Sequence, residues 1–283
     1  MDQNILIIGQ GAIGQALALS LAGRNDAKIT TVARTPRSYP TDSISFWQTD
    51  ATTLTQDELA SFSHIVIIVA PNRQAVMTDS VQAYRSCYLR IAECLASLAN
   101  QMPGLERLIF VSSTSVYGEN KGQVIDIYTP VKPVSDTAKI LHQAETLLQT
   151  TFKHKCVIVR PSGIYGVTRL ALVNLAKTSP KVAVQAWTNR IMDSDLVQVL
   201  GRIVILEQCE PVYLATDCCP VPRDKVLAFI ADQLYCPLPI CQNANPTGKQ
   251  IIGNLPKDWL AFPDYRQGYG YIIGRIQGVK NKN

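Results

Sequence analysis

The chain is poor in charge and in histidine. Asp, Glu, Lys and Arg make up 17% of its 283 residues, and there are three histidines. With 47% hydrophobic residues and a mean hydropathy near zero, that composition excludes a disordered chain and describes a folded one long enough to bury a core without staples. Long apolar runs are absent too. None reaches the ~20 residues that a bilayer span needs, so no membrane partner is expected. The first residues, MDQNILIIGQ, carry no basic segment ahead of the apolar one, which argues against a secretory leader and makes a cytoplasmic address the expectation.

Cysteine is plentiful, with eight copies, yet no C-x-x-C pair occurs. His64, His142 and His154 show no ligand spacing with Cys218 and Cys219, so no metal site is expected. Cys87 and Cys94 on one helical stripe and Cys156 at a strand start read as reduced, buried thiols. A net charge of +5 is scattered except in the tail GRIQGVKNKN, which leaves no stripe for nucleic acid. Neither an internal repeat nor a low-complexity segment is visible.

What is present is alternation. Apolar runs at 4–9, 28–33, 44–49, 64–70, 105–113 and 155–160 are separated by helical patterns at about 12–23, 55–61, 78–100 and 134–150. In the third of these, apolar positions recur at Val81, Tyr84, Cys87, Tyr88, Ile91, Cys94, Leu95 and Leu98. The pattern predicts an α/β fold, a Rossmann-type doubly wound parallel sheet over residues 1–166, with a smaller lobe over 167–283. Within the lobe, helices are expected at 194–207 and about 222–235, and the strand at 211–217 is a candidate to join the main sheet. The stretch 240–249, rich in Asn, Pro and Gly, reads as a loop.

Gly9-Gln10-Gly11-Ala12-Ile13-Gly14 fits G-x-G-x-x-G between a first strand and a helix. There the first glycine turns the chain, the second admits a pyrophosphate to the backbone, and the third lets helix and strand pack closely. The residues after the second strand choose the dinucleotide. A carboxylate there binds a bare ribose, but this chain has Ala33 followed by Arg34 and Arg37, which matches a 2′-phosphate and favours NADP over NAD. Both arginines also fit a solvated loop. Asp50, closing the third strand, is placed for the adenine amino group or for capping the turn before Leu54.

FVSSTSVYG (110–118), RPSGIYG (160–166), NRIMDSDL (189–196), VYLATD (212–217) and FPDYRQGY (262–269) resemble, in the same order, the extended short-chain dehydrogenase/reductase family. The likeness is to its atypical, NAD(P)-dependent epimerase/dehydratase-like branch and covers nearly the whole chain. It implies that Ser113 holds a substrate oxygen and that Lys139 binds the nicotinamide ribose. It also carries cofactor contacts to Ala70, Pro71 and Pro161. Tyr165 lies on a loop that lines the nicotinamide end in the family, while Tyr117 and Arg190 become candidate substrate contacts, with packing and a structural ion pair as their alternatives. The tyrosine that the family places four residues before the lysine is replaced by Ser135, which reads as the N-cap of the helix beginning at Asp136. A serine hydroxyl is too weak an acid to replace a phenol. Asp195 reads as a helix cap, and His142 sits one turn beyond Lys139.

Two functions follow from the resemblance. One is an NADP(H)-dependent oxidoreductase or epimerase/dehydratase-like enzyme acting on a carbonyl or hydroxyl of a small polar or nucleotide-sugar substrate. The other is a non-catalytic NADP(H) sensor or scaffold. A homodimer through the helices at 78–100 and 134–150 is also implied, although the apolar stripe is equally explained by packing on the sheet. No G-x-S-x-G elbow supports a hydrolase.

Overall fold

The apolar runs become the strands of one parallel sheet. The computed structural model describes residues 3–178, 181–183, 186–238, 240–242 and 245–280. Its main strands are β1 (Gln3–Ile8), β2 (Ala27–Ala33), β3 (Ile44–Gln48), β4 (His64–Ile67), β5 (Arg107–Val111), β6 (Cys156–Pro161) and β7 (Val212–Ala215). Their order across the sheet is β7-β6-β5-β4-β1-β2-β3, so the candidate strand at 211–217 does join it. Ile5 pairs with Ile29 on one side and His64 on the other, both in parallel register. Ile5–Ile8, Ile65–Ile67 and Leu108–Phe110 are buried, as the strands of a parallel sheet must be when helices cover both its faces.

The winding direction reverses between β1 and β4, and the carboxyl ends of strands flanking such a reversal form the crevice where open α/β sheets take ligands. Gly9 occupies that point. Its φ is +101°, and a Cβ there would stand 2.0 Å from the carbonyl oxygen of Ile68, the residue following β4. Only glycine lets the two chain ends run this close.

The labelled helices are α1 (Ala12–Ala22), α2 (Arg90–Ser97), α3 (Asp136–Phe152), α4 (Asp193–Ile205), α5 (Arg223–Gln233) and α6 (Tyr265–Lys280). The helix expected over 55–61 shortens to Gln56–Leu59, with a Thr55/Glu58 capping box. The single helix expected over 78–100 is interrupted. Asp79 accepts from Gln82 N to start a short helix at Ser80–Tyr84, a π turn follows at Arg85–Leu89, and α2 then completes the segment. The π turn carries one extra residue, so the apolar stripe changes phase. Tyr88, Ile91 and Leu95 are buried, but Val81 is exposed. A further short helix, Arg73–Thr78 with Asn72 as its cap, lies where no element was expected.

The chain divides into two compact units, each built from separated segments. One comprises Met1–Gly118, Val131–Arg160 and Leu200–Tyr213; the other comprises Glu119–Pro130, Pro161–Val199 and Leu214–Asn283. The second has its own core, in which Val173, Met192, Val226, Ile230, Tyr269 and Ile272 pack together. It also carries a four-stranded sheet ordered Val221–Pro222, Ala186–Thr188, Thr247–Ile251 and Lys121–Ile125. Part of the stretch read as a loop at 240–249 is therefore strand, at Ile240–Gln242 and from Thr247; positions 239, 243 and 244 lie outside the described residues.

Asp195 and Asp217, both in this unit, are buried. Asp195 was expected to cap a helix, but it lies inside the first turn of α4 and accepts from Ala261 N at 3.1 Å and Phe262 N at 3.0 Å, tying down the chain ahead of α6. Asp217 accepts from Cys219 N at 3.2 Å, and its Oδ2 lies 3.8 Å from Arg190 Nη1, close enough for attraction but too far for a hydrogen bond. Burial pushes the Asp217 carboxyl up to about 7 against the pull of Arg190.

Gly9→Ala should lower stability in urea unfolding by roughly 2–3 kcal/mol, through its left-handed backbone and the clash with Ile68; a loss below ~0.5 kcal/mol would mean that the turn relaxes freely. For Asp217, the unfolded carboxyl titrates near ~3.9 and the folded one near 7, so between these values the folded state holds a proton that the unfolded chain has released. That contribution is complete below the lower value and is lost as pH rises through 7. Asp217→Asn should flatten the fall in unfolding free energy between about pH 4 and 7, and an unchanged slope would assign the fall to other groups.

Candidate functional site

Helix α1 begins directly behind the glycine turn, and its first-turn amides have no side-chain cap. Gly11 is the N-cap residue, with no acidic residue in the turn after it. A Cβ on Gly11 would meet nothing within 4 Å, whereas one on Gly14 would stand 2.0 Å from Gly9 O. The three glycines thus do different work. Gly9 turns the chain, Gly14 lets α1 lie against β1, and Gly11 leaves an open face over the positive end of the helix. Ala12 is exposed and Ile13 buried, so both offer backbone amides while Ile13 anchors the helix. Ala70 and Pro71 continue the chain past Ile68, the first exposed and the second half-buried. An uncapped helix start facing an unobstructed glycine suits a pyrophosphate.

Beside this cradle stand the residues after β2. Arg34 is three-quarters exposed, with Nη1 3.9 Å from Asp50 Oδ2. Arg37 donates from Nε to the carbonyl of Gln10 at 3.1 Å. Asp50 acts as the cap that its sequence position also allowed. Its Oδ1 accepts from Thr52 N at 2.9 Å and Thr52 Oγ1 at 2.8 Å, and these bonds, opposed by burial and helped by Arg34, hold the carboxyl below its usual range.

Ser113 follows β5, is half-buried, and accepts from Ser115 N at 3.1 Å. Ser135 is the N-cap of α3, as expected, and accepts from Ala138 N at 3.2 Å. Lys139 points to Asp136 on its own helix, with Nζ 2.9 Å from Oδ1 in an exposed pair. His142 turns toward Glu145, with Nδ1 3.3 Å from Oε2.

Glu145 is the group that the sequence reading passed over. It has no solvent exposure, and it accepts from Arg160 Nε at 3.0 Å, Arg160 Nη2 at 2.7 Å and the hydroxyl of Ser112. Arg160 Nη1 donates in turn to Tyr117 OH at 2.7 Å, over whose ring the guanidinium lies. Burial pushes the Glu145 carboxyl up, but the bonds from His142, Arg160 and Ser112 outweigh it and hold it low. Ser112 immediately precedes Ser113, so one carboxylate ties the end of β5 to α3 and β6. Removing one partner from a buried pair of this kind costs roughly 3–5 kcal/mol. A signal existed in the sequence: Ala138, Leu141, Glu145, Leu148 and Phe152 follow the buried spacing of α3, and a carboxylate in such a stripe demands a cation.

Pro161, Tyr165 and Arg190 belong to the second unit. Tyr165 is buried and stacked on Tyr269 at 4.7 Å, and its hydroxyl has no hydrogen-bond partner among the described residues. Burial, followed by the Asp217 charge, pushes its phenol up, so it stays protonated at neutral pH. A Cβ on Gly268 would overlap that hydroxyl. Of the two candidate substrate contacts, Tyr117 is enclosed against Arg160, and Arg190 is enclosed beside Asp217 with its guanidinium over Tyr265. These contacts are the packing and the charge pairing that the sequence named as alternatives to substrate contact.

Comparison with known proteins agrees with this frame. Protein YeeZ of Escherichia coli K12 is 28% identical over 176 residues, which cover 59% of this chain and 61% of that protein, so the match spans less than two thirds of this relative. A Methylobacillus flagellatus structure assigned as an NAD-dependent epimerase/dehydratase superposes with a TM-score of 0.75 at 26% identity, covering 98% of this chain and 100% of that one. UDP-glucuronic acid 4-epimerase from Bacillus cereus, solved with UDP-glucuronic acid and NAD, shares the fold with a TM-score of 0.74 at 14% identity, covering 98% and 100%. No helix among the described residues is long and apolar enough to cross a membrane. Residues 5–206 match the NAD dependent epimerase/dehydratase family, and the chain belongs to that family.

Proposed function

We propose that the protein binds NADP(H) and acts as an oxidoreductase or epimerase/dehydratase on a carbonyl or hydroxyl of a small polar substrate, of which nucleotide sugars are the leading class. The observation that carries this reading is the open face at Gly11, over an uncapped helix start and beside a second strand that ends at Ala33, followed by Arg34 and Arg37 where a carboxylate would bind a bare ribose. A guanidinium gains from a 2′-phosphate and gains little from a bare ribose. The cofactor supplies hydride transfer. The chain supplies orientation: Ser113, at a strand end braced through Ser112 and Glu145, offers its hydroxyl to the substrate oxygen. Lys139 reaches a ribose after leaving Asp136, which costs little for an exposed pair. Ser135 has its hydroxyl committed to the helix cap and relays no proton, so turnover forgoes the roughly 10²–10⁴ that a positioned acid contributes.

The same two residues favour a second reading. With Ser135 capping and Lys139 paired, the protein also fits a non-catalytic NADP(H) sensor. The readings separate by experiment. NADPH should bind more tightly than NADH in titration calorimetry, and Arg34→Asp should narrow or reverse the preference; equal affinities in the parent protein would end the NADP assignment. In assays with aldehydes, ketones and nucleotide sugars, Ser113→Ala should lower turnover about tenfold or more with cofactor affinity little changed. Unchanged turnover would remove Ser113 from the chemistry, and tight NADPH binding with no consumption of any substrate would favour the sensor.

A further inference from the structure

Gln10 fills the first variable position of the glycine turn, where nothing in the motif demands a particular side chain, yet it is 3% exposed and bonded at both ends. Its Nε2 donates to Ile7 O at 3.3 Å, and its Oε1 accepts the Tyr39 hydroxyl. Its backbone carbonyl accepts from Arg37 Nε at 3.1 Å. One residue therefore holds the loop after β2 at two points, through Tyr39 and through Arg37. Arg37 Nη1 turns to Pro36 O at 3.5 Å, and Nη2 has no protein partner among the described residues. Among the described residues the Arg34 guanidinium has no hydrogen bond; it stands exposed, with Nη1 3.9 Å from Asp50 Oδ2.

We infer that Gln10 and Tyr39 are positioning residues for cofactor choice: they clamp the 36–39 loop onto the glycine turn, so that Arg37 is held, before any ligand arrives, as the guanidinium that reads the ribose 2′-phosphate. The inference rests on the NADP(H) reading and deepens it. A long arginine on a free loop loses rotamer freedom when it binds an anion, and a loop already tied down has less to lose. Neither Gln10 nor Tyr39 need touch the phosphate. Their contribution acts through Arg37, and a bare ribose, which does not engage Arg37, is indifferent to it.

The test is a set of titrations of NADPH and NADH with the full-length parent, Tyr39→Phe, Gln10→Met, Arg37→Gln and the Tyr39→Phe/Arg37→Gln double variant. Tyr39→Phe keeps the ring and removes one hydroxyl, so the fold persists even if Gln10→Met proves unstable. Expected is a fall in the NADPH-to-NADH affinity ratio of about three- to tenfold in Tyr39→Phe, the size of one lost neutral hydrogen bond, with NADH affinity within about twofold of the parent. In the double variant the Tyr39 change should add nothing to Arg37→Gln, because both act on one contact. Three results would overturn the inference: an unchanged ratio in Tyr39→Phe, additive losses in the double variant, or equal loss of both cofactors, which would mark the clamp as merely structural. A parent that does not prefer NADPH fails differently, because it rejects the NADP reading itself.

Discussion

A single carboxylate organises the end of the first unit where the proposed chemistry would take place. Glu145 sits in the buried stripe of α3 and is tolerable there only because Arg160, Ser112 and His142 all donate to it. Helix, strand and loop must therefore arrive together. If α3 slid along its axis by one turn, Glu145 would lose Arg160 and leave two uncompensated charges in the interior. The register of Ser113 against the start of α3 follows from this constraint. The residues that carry the proposed chemistry make few strong contacts themselves; their neighbours make them.

The glycine cradle depends on backbone closeness instead of charge. Gly9 and Gly14 are tight because chain passes within van der Waals distance of where their side chains would be, and Gly11 is open because nothing does. The contrast separates tightly packed glycine from open glycine within six residues. It also explains the density of contacts around Gln10, since a turn that must keep one face clear is braced from its other side.

Much of this was legible beforehand. Buried parallel strands are apolar on both faces, so their runs stood out, and the family motifs followed in order along them. Ser135 could be read as a cap because a serine ahead of an acidic first turn has one dominant use. The π turn at Arg85–Leu89 could not be read, since periodicity assumes a constant residue count per turn. The three-residue strands of the second unit escaped for a related reason: strands such as Ala186–Thr188 exist through pairing with distant chain, and local sequence holds no record of that. Glu145 was different, because its position among apolar neighbours was visible and asked for a partner. Asp217 and Arg190 needed coordinates, as 27 positions of chain separate two groups that stand 3.8 Å apart.

The seventh strand of the sheet carries a consequence for synthesis. Cys156–Pro161 is buried along its whole length once β7 lies beside it, yet β7 leaves the ribosome about fifty residues later, after the whole Pro161–Val199 segment of the second unit. At ~5–20 residues per second, an apolar strand edge stands unpaired for several seconds in every newly made molecule. During that interval the nascent chain offers other polypeptides a ready template, so the yield of folded protein should depend on chaperone capacity more steeply than its finished, covered sheet suggests.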